Sequence, residues 1–222
     1  MVNKDPKINI QAIGAVVKRI FNCTPSYKKL WAAKQKAMAR IFGGWDTSYQ
    51  ELPKWMRALQ NFNQGSCVKF VTKEGSVPDS VEFDYVFWTF GPSVEGFKHC
   101  RPVISIDGTH LYGKYEGKML IATAVDGNNQ LFPLAFAIVD KECTASWKWF
   151  LTCIRQYVTK RQGICLISDR HASIKAAMGN DNPWWRPPYA YHVYCLRHVI
   201  SNFNKEINDA KLKKMATRAG MQ

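Results

Sequence analysis

Long apolar runs are missing from this 222-residue chain. None reaches the ~18 residues that a membrane-spanning helix needs, which excludes a helical span. Acids are scarce: 17 Asp and Glu stand against 31 Lys and Arg, a formal net charge of +14. That imbalance disfavours basic partners and favours polyanions, nucleic acid foremost. Paired cysteines are missing as well. The seven cysteines lie scattered at 23, 67, 100, 143, 153, 165 and 195 without any CxxC. Several sit in apolar runs, as Cys165 does in GICLISD. This excludes a disulfide framework and reads as reduced, buried thiols in a cytosolic or nuclear protein. The opening MVNKDPKINIQAIGAVV has the pattern of neither a signal peptide nor a transit peptide, and its abrupt start reads as part of a longer protein.

What the chain does contain is a globular composition, 46% hydrophobic and 22% charged, enough to bury a core. Two parts differ in character. Residues 1–97 read as a mainly helical, basic segment. Lys18, Arg19, Lys28, Lys29, Lys34, Lys36 and Arg40 fall where no acid occurs between Asp5 and Asp46. Ser26 is placed to cap a helix whose Leu30, Ala33, Ala37 and Ile41 share a face, and Gly43-Gly44 ends it. The opposite face is a basic stripe without interleaved acids, suited to phosphate, with Lys28, Lys29, Lys34 and Lys36 as its contacts. A second helix is expected from about Ser48 to Asn61, started by a Ser48-x-x-Glu51 capping box and weakened by Pro53. CVKFVTKEGSVPDSVEFDYVFWTFGP then reads as a hairpin or two short strands with an aromatic end.

Residues 98–222 carry a clearer rhythm. PVISID, KMLIATAVD and LFPLAFAIVD read as three antiparallel strands joined by the turns YGKYEG and GNNQ. TASWKWFLTCIRQYVTK follows as a helix, with Trp147, Phe150, Leu151, Ile154, Tyr157 and Val158 on one face. GICLISD is a further buried strand, and ASIKAAM a helix. The strands PVISID and GICLISD both close on an aspartate, Asp107 and Asp169. A turn explains either one alone, since Asp-Gly is a common turn pair. Together they point elsewhere. In a β-β-β-α-β order the first and fourth strands can lie side by side, bringing the carboxylates together. Such a pair repels itself unless a cation intervenes. Oxygen-only ligation suits Mg²⁺ or Mn²⁺, in the two-metal arrangement that cuts and joins phosphodiesters. Asp126 reads as a turn residue and Asp140 as a strand end. Arg170 and His171 contact phosphate or cap the next helix. The aromatics around Arg186 in NPWWRPPYAY stack on DNA or pack back onto the domain.

These stretches resemble a known family. CRPVISIDGTHLYGKYEGKMLIATAVDGNNQLFPLAFAIVDKE, SWKWFL, ICLISDRHASI and YHVYCLRHVISNF are similar to the Mutator-like element (MULE) transposase domain of plants. The resemblance implies a ribonuclease-H-like α/β fold, a mixed sheet in β-β-β-α-β-α-β order, behind the helical N-terminal segment. It implies a DD(E/D) site for DNA cleavage and strand transfer, with Asp107 and Asp169 as catalytic, metal-binding acids and Cys195 and His198 as the family's CxxH element. It further implies transposon-end and target DNA as partners, a homo-oligomer as a possible assembly, and a nuclear location. The third acid of such a site follows a helical insertion, and no matching acid stands before Gln222, so the domain is expected to be truncated and incomplete. Glu206 and Asp209 fall in NFNKEINDAKLKK, which reads as a solvated helix. His192-x-x-Cys195-x-x-His198 lacks the second ligand pair of a zinc site and is better placed to fix a strand-to-helix junction. The alternative to an active transposase is a domesticated or inactive descendant that binds DNA and regulates transcription.

Overall fold

Asn9 and Ser26 each sit where a polar side chain can satisfy the open N–H groups of a helix start. In the computed structural model, which describes residues 2–3, 5–74, 81–111, 115–179 and 182–220, both do so. Asn9 accepts from Ala12 N at 2.7 Å and opens α1, Ile10–Phe21. Ser26 accepts from Lys29 N at 3.4 Å and opens α2, Tyr27–Phe42, which Gly43 ends at φ 85°. The chain divides into two compact units, residues 1–55 and 56–222.

In the first unit α1 and α2 pack together, with Ile13 and Leu30 buried. Gly14 lets them approach: a Cβ there would stand 3.0 Å from Leu30 Cδ1. The apolar face of α2 is not the expected one, because Ala33 and Ile41 are exposed while Lys34, Ala37 and Met38 are half-buried. Helix α3, Trp45–Phe62, starts ahead of Ser48 with Asp46 in its first turn, where a carboxylate suits the helix dipole. The Ser48 capping box therefore does not form, and Ser48 Oγ donates to the Gly44 carbonyl at 3.0 Å. Pro53 is accommodated inside the helix.

The second unit is built on strands. β1, Cys67–Glu74, and β2, Val81–Thr89, pair antiparallel, and their connection at 75–80 lies outside the described residues. Helix α4, Gly91–Phe97, leads to β3, Val103–Leu111, β4, Gly117–Val125, and β5, Leu131–Val139. The centre of the expected YGKYEG turn, 112–114, is likewise outside the described residues. Helix α5, Thr144–Cys153, runs on into a π-turn, Ile154–Val158. Then come β6, Ile164–Ser168, α6, Ala172–Ala177, a 3₁₀ turn at Pro183–Trp185, and β7, Ala190–Tyr194. Helices α7, Leu196–Ile207, and α8, Ala210–Ala219, follow.

The strands form one seven-stranded sheet in the order β1-β2-β5-β4-β3-β6-β7. β3, β4 and β5 are antiparallel neighbours, whereas β6 runs parallel to β3 and β7 parallel to β6. This mixed sheet, three antiparallel strands followed by two parallel ones on the far side of the first, is the ribonuclease-H-like arrangement. The boundary expected at residue 97 falls inside this unit. β2 pairs with β5, and Phe87 is fully buried beside Phe150 of α5, so the aromatic end of the hairpin needs this core to bury it. One side of the sheet packs Ile104, Leu120, Ala135, Ala137 and Leu166 into the cluster that holds Trp147, Phe150 and Leu151 of α5. Each large side chain so buried contributes roughly 1.5–3 kcal/mol. Among the described residues no helix is long and apolar enough to cross a membrane.

Candidate active site

Parallel pairing aligns β3 with β6 as Val103↔Cys165, Ile104↔Leu166 and Ser105↔Ile167. Carried two residues further, that register sets Asp107 level with Asp169. β7 adds a third position: Ser168 pairs with Tyr194, and Cys195 N donates to the Ser168 carbonyl at 2.7 Å, beside Asp169. Ile104 and Ile106 are buried in the core, so the alternation of the strand puts Ser105 and Asp107 on the opposite face. Pairing of β3 with β6 stops at Ser105, while β3 continues to Leu111 against β4 alone. Asp107 thus stands where one flank of its strand opens. Its side chain is 47% exposed, so neither a deep burial nor its desolvation cost applies to it.

Both carboxylates fold back on the chain in the same way. Asp107 Oδ1 accepts from Gly108 N at 2.9 Å, and Asp169 Oδ1 accepts from Arg170 N at 2.6 Å. Asp107 Oδ2 faces Arg197 Nη2 of α7 at 3.3 Å. Another carboxylate lies close to the motif on its other side: Glu142 packs over Gly108, where a Cβ would meet it at 3.4 Å, and accepts from Trp147 Nε1 at 3.2 Å. The sequence pattern singled out neither Arg197 nor Glu142. The only signal for Arg197 was its place inside Cys195-Leu196-Arg197-His198, and the direction of α7 is set by tertiary structure.

The remaining candidates separate by their contacts. His171 caps α6, with Nδ1 bonded to Ser173 Oγ at 2.6 Å, whereas Arg170 is exposed. Ser168 Oγ donates to the Asp169 carbonyl at 2.7 Å and lies 2.8 Å from His192 Nε2. Its single proton being spent, the imidazole donates, and burial lowers the His192 pKa, favouring the neutral ring. His192 Nε2 is therefore not offered to zinc. His198 Nδ1 is buried and has no hydrogen-bond partner among the described residues. Trp185 packs back into the core, its Nε1 donating to the Leu151 carbonyl at 3.1 Å, while Trp184 stays half-exposed against Tyr189. Asp126 holds the β4–β5 turn by accepting from Asn128 N and Gln130 N, both at 2.8 Å. Asp140 Oδ1 accepts from Lys141 N at 2.7 Å. Glu206 is exposed on α7, and Asp209 caps α8, so NFNKEINDAKLKK is two helices broken at Asn208, φ 51°.

On α2, Lys28, Lys29, Lys36 and Arg40 are all exposed and interleave with exposed Ala32 and Ala33. At 100° per residue these six share a sector of about 140°. Lys34 lies outside it, and its ammonium donates to the Ile8 carbonyl at 2.6 Å.

Residues 103–202 match the family model of the MULE transposase domain. The MULE match opens with β3 and closes inside α7, and so takes in Asp107, Asp169, Cys195 and His198. No curated protein gives a significant match to the chain. Among solved structures, a chain of the cryo-EM structure of the simian T-cell lymphotropic virus intasome in complex with PP2A regulatory subunit B56 gamma is similar. It is 10% identical with a TM-score of 0.29, over 51% of this chain and 46% of that one. The similarity thus spans less than half the length of that chain.

The donor set can be tested against a divalent cation. Among the described residues no three His, Cys, Asp or Glu side chains converge. Asp107 within β3 and Asp169 just past the end of β6 offer oxygen alone. Mg²⁺ is commonly held by one or two carboxylates, with water and substrate phosphate completing its shell. The pair fits that share.

Proposed function

We propose that this protein is a Mutator-like DNA transposase whose ribonuclease-H-like domain cleaves DNA and transfers strands with the help of Mg²⁺ or Mn²⁺. The observation that supports this reading is the parallel pairing of β3 with β6, whose register, carried two residues beyond Ser105↔Ile167, sets Asp107 against Asp169 inside the segment that matches the MULE transposase domain. Asp107 and Asp169 would hold the cation. When bound, it supplies Lewis acidity toward the scissile phosphate and lowers the pKa of the attacking oxygen. The protein's own groups bind and orient. The exposed cations of α2 meet the DNA backbone, and Arg170 lies next to Asp169 in reach of phosphate. Cys195, whose N–H is tied to the Ser168 carbonyl, would fix the junction of β7 with α7, with His198 in the first turn of that helix. Such a protein acts on transposon ends and target DNA in the nucleus.

Mn²⁺ titration calorimetry tests the carboxylate assignment. Asp107→Asn and Asp169→Asn should each weaken Mn²⁺ binding about tenfold or more, with the circular dichroism spectrum retained. Glu206→Gln should leave Mn²⁺ binding unchanged. Equal affinity in Asp107→Asn and the unaltered chain would overturn the metal site.

A further inference from the structure

Arg197 reaches across 90 positions of sequence to put Nη2 3.3 Å from Asp107 Oδ2. Its placement follows from the main chain. Cys195 N is tied to the Ser168 carbonyl at 2.7 Å, Cys195 caps α7, and Arg197 is the second residue of that helix. The helix start therefore carries the guanidinium to the Asp107–Asp169 edge. Asp107 Oδ1 gives one of its lone pairs to Gly108 N, so Oδ2 is the oxygen less committed to the main chain, and Arg197 faces that oxygen.

The pair is open to water, with side-chain exposures of 76% for Arg197 and 47% for Asp107. Exposed ion pairs are weak and exchange readily. A guanidinium also presents a fork of donors that matches phosphate, and phosphate is doubly suited where the surrounding chain is acid-poor. Arg197 accordingly has two anionic partners available at one place, a carboxylate of its own chain and a phosphate of a bound strand.

We infer that Arg197 is a substrate-contacting switch: it pairs with Asp107 in the DNA-free protein and transfers to a backbone phosphate when DNA is bound, freeing Asp107 Oδ2 for the divalent cation. The inference rests on the metal-site reading above. It makes DNA and metal binding mutually reinforcing, and by linkage each raises the affinity for the other by the same factor.

Mn²⁺ titration of the full chain, with and without a duplex oligonucleotide at low salt, reads this directly. DNA should tighten Mn²⁺ binding to the unaltered protein. Arg197→Gln should bind Mn²⁺ about two- to fivefold more tightly without DNA, the size an exposed ion pair allows, and should lose the enhancement by DNA. Lys205→Gln, a charge removed from the far end of the same helix, should behave like the unaltered chain. Unchanged Mn²⁺ affinity in Arg197→Gln, or an enhancement that persists in it, overturns the inference. If Asp107→Asn weakens Mn²⁺ binding while Arg197→Gln changes nothing, the inference alone fails. If Asp107→Asn also changes nothing, the metal-site reading fails with it.

Discussion

Arg155 shows how a cation can be structural in a protein with a large excess of positive charge. It is buried, and among the described residues no carboxylate pairs with it. Nη1 donates to the Arg161 carbonyl at 2.6 Å, and Nη2 to the Trp184 and Tyr189 carbonyls at 2.6 and 3.1 Å. The guanidinium lies 4.4 Å from the Trp185 ring centroid. Burial pushes its pKa down to about 10, which still leaves it charged at neutral pH. Carbonyl dipoles and a π-face replace the counter-ion, and they tie the π-turn after α5 to the segment leading into β7. Arg155→Met should cost about 2–4 kcal/mol of stability, read from the urea midpoint at unchanged slope. Arg155→Lys should recover less than half of that loss, because an ammonium cannot span three carbonyls in a planar fork.

At the scale of elements, α2 separates two kinds of lysine that look alike in sequence. Lys28, Lys29, Lys36 and Arg40 line the exposed sector with small alanines between them, so the helix can approach a phosphate backbone closely. Lys34 is spent on the Ile8 carbonyl next to the start of α1. Replacing Lys28, Lys29, Lys36 and Arg40 by Gln should weaken duplex binding and reduce the slope of log K against log salt by up to about 3.6, at ~0.9 per phosphate contact. Lys34→Gln should leave that slope in place and instead lower the stability of the first unit. Equal salt slopes for the fourfold variant and the unaltered chain would make the stripe a solvated face.

Across the whole molecule, burial is concentrated in the middle of the sheet. Ile104, Leu120, Ala122, Ala135 and Ala137 on β3, β4 and β5 are fully buried, whereas β7 is an edge strand with exposed Tyr191, Val193 and Tyr194. Helix α8 buries no residue. Amide hydrogen exchange should therefore be slowest in β3, β4 and β5, intermediate in β7, and fastest in α8. Protection of α8 equal to that of β4 would contradict this distribution.

The alternation of apolar residues and the turn chemistry of GNNQ determined β3, β4 and β5 by local rules, and Ser26 and Gly43 likewise bounded α2. Asp107 and Asp169 were also legible, because each ends an apolar run. Yet β3 does not close at Asp107 but runs on to Leu111 against β4, and Asp169 follows the last residue of β6. Three features depended on the tertiary structure. The helix at residue 45 begins before its apparent cap, since Asp46 meets the helix dipole and Ser48 turns back to Gly44. The strands at 67–89 belong to the sheet because β2 pairs with β5 and Phe87 is buried against α5 and the π-turn that follows it. Arg197 reaches Asp107 because the β6–β7 register and the Cys195–Ser168 hydrogen bond aim α7 at the carboxylates. Periodicity records which face of an element is apolar, and caps record where it starts. A contact across 90 residues depends on how the elements are packed, which no local pattern encodes.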